Sequence, residues 1–196
     1  MGFSNDQFYN NQLQSDESVA TWQLSLSDGT PSNPLEFIDT AGCSFEEHIN
    51  PESLSYYNPQ EYFVLRQHLD NLLVILGDQP VSIGIISPYR EQVVAIQDAI
   101  VNDFDHFPDA DIEVNTIDAF QGQERDVIYI SMVRSNDNGE IGFLKDTRRM
   151  NVAMTRAKKK LIIIGDSATL ASFKFYSNFL DYCDASDAYG SAWDWQ

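Results

Sequence analysis

The sequence predicts a three-layer α/β domain with a mainly parallel central sheet, and three observations carry that expectation. Short apolar runs near positions 37, 83, 114, 130 and 163 alternate with segments whose apolar residues repeat at helical spacing, as in a parallel sheet covered on both faces. The run VIYISMV (127–133) shows no polar alternation, which suits a central strand. Polar motifs follow the apolar runs: SPYREQ after VSIGIIS (81–87), DAFQGQERD (118–126) after IEVNTI (112–117), and Gly165-Asp166 at the end of LIIIGD (161–166). Open α/β sheets gather ligands at the carboxyl ends of their strands, so one polar rim is expected.

Taken in order, residues 1–34 form a polar N-terminal segment in which Phe3, Phe8 and Tyr9 fit a short docked helix. FIDT (37–40) reads as a strand and 41–57 as a loop with Gly42 and Pro51. Residues 58–76 read as a helix capped by Asn58, with Pro59 in its first turn and Glu61 at the capping-box position. Its apolar stripe is Tyr62, Leu65, Leu69, Leu72 and Leu76. A helix over 89–101 presents Val93, Ile96 and Ile100. The segment 145–157 reads as a helix that packs Met150, Ala153, Met154 and Ala157 on the sheet, with Arg149 and Arg156 on one flank and Asn151 and Thr155 on the other. A last helix spans 167–182, and the main domain is expected over 35–182. Residues 183–196 read as an acidic, aromatic tail with loose order.

Composition narrows the function. The 196 residues are 43% hydrophobic, enough for one sizeable core. A net charge of −18 opposes binding to nucleic acid, whose phosphates need Lys and Arg. Distribution counts for more than the total: residues 1–65 hold no Lys or Arg, while six of the twelve basic residues fall within 148–160. That island reads either as a solvated helix end or as an anion-binding patch. Cys43 and Cys183 have no metal-type spacing and read as thiols of a reducing compartment. His48, His68 and His106 are scattered, and no metal site is expected. No apolar run approaches the length of a membrane span, so no membrane partner is expected. The chain contains no GxxxxGK[ST] phosphate loop. For single residues plainer roles are open: Asp118 as a turn cap, Arg125 and Asp126 as a surface pair, Arg149 as a salt-bridge partner, Lys158 to Lys160 as a solvated helix end.

SIGIISPYREQ (82–92), NTIDAFQGQERDVIYIS (115–131) and RRMNVAMTRAKKKLIIIGD (148–166) resemble three consecutive motifs in the second RecA-like domain of superfamily 1 helicases. The resemblance is to the branch with the RNA helicase of nonsense-mediated decay and the DNA replication helicase-nuclease. SYYNPQEY (55–62) resembles the SxxNxxEA element that precedes these motifs. GFSNDQFYNNQL (2–13) resembles the segment after the QYRMHP motif, so a first RecA-like domain with the phosphate loop is expected upstream.

The resemblance implies a RecA-like fold and roles for named residues. Arg156 matches an arginine finger that reaches the γ-phosphate of ATP. Gln121, Gly122 and Glu124 match a nucleotide-facing loop. Ser87, Pro88, Tyr89 and Thr116 match positions along the single-strand path, and Asn151 and Thr155 match residues joining that path to the nucleotide. ATP with Mg²⁺, held mainly by the upstream domain, and single-stranded DNA or RNA are the implied cofactor and partner, in the cytoplasm or a nucleus. The expected activity is ATP-driven movement on the strand, 5′ to 3′, with none in this chain alone. Two other readings stay open: a non-catalytic binding module on the same fold, and a motor serving a nuclease encoded upstream.

Overall fold

A computed structural model describes residues 2–14, 16, 22–27, 29–104 and 110–195; His106 lies outside them. In chain order the elements are α1 (Gly2–Tyr9), β1 (Leu35–Asp39), β2 (His48–Ile49), β3 (Tyr56–Tyr57), α2 (Pro59–Leu76), β4 (Ser82–Ser87), α3 (Arg90–Asp103), β5 (Asp111–Thr116) and β6 (Arg125–Ser131). They continue as α4 (Thr147–Met154), β7 (Ala157–Gly165), α5 (Ser167–Leu170), α6 (Lys174–Ala185) and β8 (Tyr189–Ser191). Among the described residues one six-stranded sheet runs β5-β4-β6-β7-β1-β8, and every pairing in it is parallel. The expected three-layer α/β architecture is present.

Strand burial explains the layers. Val127 and Tyr129 of β6, Ile162 and Ile164 of β7, and Ile83 and Ile85 of β4 pack with α2 and α3. Ile128, Ile130, Ile163 and Ile86 point the other way, into a core with α4, α6, Phe3 of α1 and Phe120. Both faces are apolar, which is why β6 shows no alternation. The stripe of α2 holds, with Leu65, Leu69, Leu72 and Leu76 buried. Phe3 docks on Phe175 and Phe179 at centroid distances of 5.2 and 5.1 Å.

Four expectations are corrected. First, the helix ends at Met154 rather than 157; Thr155 and Arg156 form a turn and β7 starts at Ala157. Lys158 to Lys160 are therefore strand residues, and Lys160 is buried with its Nζ 2.9 Å from Glu36 and 3.0 Å from the Asn33 carbonyl. Second, the final helix is two, α5 and α6, separated by a turn at Ala171–Phe173. Third, the tail is ordered: β8 pairs with β1, Phe37 N donates to the Ala188 carbonyl at 2.7 Å, and Trp195 lies 4.6 Å from His68. A free strand edge, Trp195 on His68 and Tyr189 on Phe37 outweigh the tail's charge. Fourth, Asn58 caps α2 through Glu61 N, but Gln92 rather than Glu61 accepts from Asn58 N, at 2.8 Å. The Glu61 carboxyl is turned inward instead.

Candidate functional site

The polar motifs do not share one rim. β5 ends at Thr116 and pairs Thr116 with Ser87, the last residue of β4, so both lie at the carboxyl rim. β6 starts at Arg125, paired with Ala157, the first residue of β7, at the amino rim. Residues 117–124 therefore cross the sheet from one rim to the other, over β4. Phe120 lies on Gly84 during that crossing, where a Cβ would meet Phe120 Cε1 at 2.8 Å and Ile128 Cδ1 at 2.6 Å. The expectation that DAFQGQERD stays at the carboxyl ends is corrected: its first residues are there, and Gly122 and Glu124 approach the opposite rim.

At the amino rim the chain brings together Gly122, Glu124 and Arg156. Gly122 has φ +85°, a left-handed conformation that disfavours side chains, and open space where a Cβ would stand. The turn is closed by Gln121 N donating to the Asp118 carbonyl at 3.2 Å and Gln123 N donating to the Phe120 carbonyl at 3.0 Å. Gln121 and Glu124 are exposed. Arg156 is half-buried. Its Nε donates to the Val152 carbonyl at 3.0 Å, Nη1 to the Gln123 carbonyl at 3.4 Å and Nη2 to Thr155 Oγ1 at 3.4 Å. Thr155 Oγ1 in turn donates to the Val152 carbonyl at 3.0 Å. Beside them lies a cleft of about 530 Å³ whose walls include Glu124, Thr155, Lys158, Phe3 and Trp22.

Arg156 is half-buried, whereas Arg90, Lys145, Arg148, Lys158 and Lys174, which also lack a carboxylate partner among the described residues, are exposed. Among the described residues six of the twelve basic residues have carboxylate partners: Arg66 with Asp103, Arg125 with Glu113, Arg134 with Glu47, Arg149 with Asp118, Lys159 with Asp126 and Lys160 with Glu36. Arg125 and Asp126 thus take separate partners rather than each other. Among the described residues Arg156 pairs with no carboxylate, although the chain carries 30 Asp and Glu. A half-buried guanidinium satisfied only by neutral oxygens retains its attraction for an anion.

At the carboxyl rim Ser87 and Tyr89 are buried and Pro88 and Thr116 are half-exposed. Tyr89 stacks edge-on against Tyr56 at 5.8 Å, and Arg134 lies over the Tyr56 ring at 4.3 Å. Arg134 is aimed by the residue before it. Val133 has φ +72°, and Arg134 N donates to the Met132 carbonyl at 2.8 Å, which makes a γ-turn at the end of β6. Glu47 closes the arrangement by accepting from Arg134 Nε at 2.8 Å and Nη2 at 3.0 Å.

A β-branched residue in that conformation is strained by roughly 1–3 kcal/mol and needs a holder. Glu61 supplies it: both carboxyl oxygens accept from Val133 N at 2.9 Å, and Oε2 accepts from Ser131 Oγ at 2.6 Å. Full burial pushes the Glu61 carboxyl up to about 8, against the hydrogen bonds from Ser131 and Val133 that favour its charged form. Sequence reading placed Glu61 on the helix end and missed this role. Its one local signal is an acidic residue flanking the buried stripe of α2.

Two segments join the rims on the same face. One is the 117–124 crossing; the other is α4, which returns the chain from the end of β6 to the start of β7. Arg149 on α4 pairs with Asp118 at the start of the crossing, with both residues well exposed. Asp146 caps α4, accepting from Arg149 N at 3.2 Å. Asn151 is buried, and among the described residues its Oδ1 accepts no hydrogen bond. Thr155 stands at the amino rim beside Arg156. The structure thus separates Thr155 from Ser87, Pro88, Tyr89 and Thr116. Among the described residues, no group of three His, Cys, Asp or Glu could hold a metal ion, and no helix is long and apolar enough to cross a membrane.

A family model described as an AAA domain matches residues 1–168. The chain is 37% identical to DNA polymerase alpha-associated DNA helicase A of Saccharomyces cerevisiae over 198 residues, covering 94% of this chain and 28% of that protein. It is 35% identical to the DNA-binding protein SMUBP-2 of Rattus norvegicus, covering 92% of this chain and 18% of that one. It is 34% identical to the DNA replication ATP-dependent helicase/nuclease DNA2 of Mus musculus, covering 89% of this chain and 16% of that one. The chain therefore spans less than a third of the length of each of these relatives.

Proposed function

Because this chain belongs to the AAA domain family that forms the C-terminal part of superfamily 1 helicases, we propose that it serves as the second RecA-like motor domain of an ATP-dependent helicase acting on single-stranded DNA or RNA. The observation that carries the proposal is Arg156: a half-buried cation without a carboxylate partner among the described residues, held by three oxygen acceptors beside Gly122 and Glu124.

These residues fit ATP. Arg156 is the arginine finger, placed to neutralise charge that develops on the γ-phosphate. Gly122 keeps the loop free of a side chain where the nucleotide approaches, Gln121 supports the loop, and Glu124 accepts from the ribose. The magnesium and the phosphate loop belong to the first RecA-like domain of the same polypeptide, and this chain alone is inactive. Pro88 and Thr116 lie along the strand at the carboxyl rim, with Ser87 and Tyr89 shaping that rim from below. Asn151 and Thr155 lie on the path by which one rim senses the other. Movement is 5′ to 3′, and the setting is the cytoplasm or a nucleus.

The experiment is ATP turnover by the longest natural polypeptide carrying this domain, with and without single-stranded DNA and RNA, beside Arg156→Ala. Strand-stimulated turnover that collapses in the variant supports the motor. Absent turnover, or turnover indifferent to Arg156, replaces it with a binding module.

A further inference from the structure

We propose that Phe143 is a base-stacking platform for the single strand, on the rim opposite Arg156; the inference rests on the motor reading above. Residues Gly142–Lys145 form a 3-10 turn after β6 in which neighbouring side chains have opposite fates. Ile141 and Leu144 are buried, while Phe143 is 65% exposed.

The exposure is built into the backbone. Gly142 has φ +54°, and a Cβ there would collide with the Arg134 guanidinium and stand 2.8 Å from Tyr89 Oη. The turn is thus clamped down on the Arg134–Tyr89 pair, and the left-handed residue turns Phe143 outward. Tyr89 supports the Phe143 ring from beneath at a centroid distance of 5.7 Å. Tyr89 itself is 1% exposed and cannot receive a base, so the outer ring is the one a strand meets.

Charge identifies the occupant. Arg90, Lys145, Arg148, Arg156, Lys158 and Lys174 have no carboxylate partner among the described residues. Arg90 follows Tyr89, Lys145 ends the turn that carries Phe143, and Arg148 lies in the first turn of α4; all three are exposed at the carboxyl rim. An exposed aromatic on a rim that also carries three cations without carboxylate partners is suited to stacking bases and tracking a phosphate backbone without reading sequence. A polyanion with flat apolar faces fits it; an acidic peptide would use the cations and leave the ring idle.

The test measures binding of fluorescein-labelled oligo(dT), oligo(U) and an abasic oligonucleotide of equal length to the longest natural polypeptide carrying this domain. Wild type is compared with Phe143→Ala and Phe143→Trp. Expected are roughly ten-fold weaker binding of base-bearing strands by Phe143→Ala, unchanged binding of the abasic strand, and recovery in Phe143→Trp. Equal loss on abasic strands would make the role structural and overturn the platform, as would unchanged binding of every strand by Phe143→Ala. Wild type that binds no strand at all overturns the motor reading and this inference together. If oligo(dT) and oligo(U) respond to different degrees, the larger response identifies the strand that stacks.

Discussion

The Arg125 amide donates to the Arg156 carbonyl at 3.1 Å, so the end of the 117–124 crossing and the turn after α4 are tied at the first rung between β6 and β7. Because backbone atoms make that tie, it survives changes of the Arg156 side chain. Arg156→Lys is expected to keep the melting temperature within a few degrees while strand-stimulated ATP turnover falls by about 10³-fold or more. Lysine keeps the charge and loses the planar fork that bonds Val152, Gln123 and Thr155 at once. Turnover and thermal melting measured on the same preparation check both halves.

The crossing offers a second test at Gly84. A methyl group at that position meets Phe120 and Ile128 at distances no packed side chain tolerates. Gly84→Ala is expected to destabilise by about 1–3 kcal/mol, the usual range for overpacking. It also moves the crossing, so on the motor reading nucleotide affinity is expected to fall with stability. A compensating Phe120→Leu change restores both, which a denaturant titration and a nucleotide-binding curve on the double variant would show.

Much of this was legible in the chain, for physical reasons that differ by element. β6 reads correctly because burial on both faces leaves only one kind of residue at every position. Asn58 and Pro59 read correctly because capping is local. The end of α4 did not, because Ala157 continues the spacing of Met150, Ala153 and Met154 although it is the first residue of β7. Lys160 did not, because only the fold supplies Glu36 and the Asn33 carbonyl that let an ammonium sit inside. The direction of 117–124 did not either. A parallel crossover ordinarily takes a dozen residues, and so short a connection reads as a loop that stays at one rim. Of the site, the motif residues were visible; Glu61, Arg134 and Phe143 were not, since each acts through a neighbour distant in sequence.

Gly122 gives a third expectation. Nothing fills the space a side chain would enter, so the penalty for substitution is conformational alone. Gly122→Ala is expected to cost about 1–2 kcal/mol in the folded state, and Gly122→Asn less, since Asn tolerates the left-handed region. If the loop faces the nucleotide, both variants raise KM for ATP, and the larger Asn side chain raises it more. Steady-state kinetics and chemical denaturation would rank the two variants in opposite orders.

Glu61 links stability to pH, and the sign follows from its burial. Its folded-state value is raised from 4.5 to about 8, so the folded chain binds the proton more tightly than the unfolded one. The contribution is fully present below pH 4.5 and is lost as pH rises through about 8. Roughly a few kcal/mol depend on it. Glu61→Gln mimics the protonated acid and keeps an acceptor for Val133 N. Its melting temperature should therefore decline less between pH 5 and 9 than that of the wild type. Glu61→Ala, which strands Ser131 and Val133 N, should be destabilised at every pH, by about 2–4 kcal/mol. A pH series of melting curves for the three proteins separates these outcomes.

The tail supplies the last expectation. β8 covers the β1 edge, and Trp195 rests on His68, whose ring lies 2.7 Å from Tyr129 Oη and 3.3 Å from Glu36. Truncation after Ser186 would uncover a hydrogen-bonding edge beside Phe37, which is fully buried, and open an apolar strip of the sheet to water. A lower melting temperature and concentration-dependent association are expected together, because an uncovered parallel edge recruits other chains. Trp195→Ala removes only the anchor, so it should lower the melting temperature by less and leave the association state unchanged. Light scattering across a dilution series would distinguish the two, and a truncated chain that associated no more than the full one and melted like it would reduce β8 to decoration.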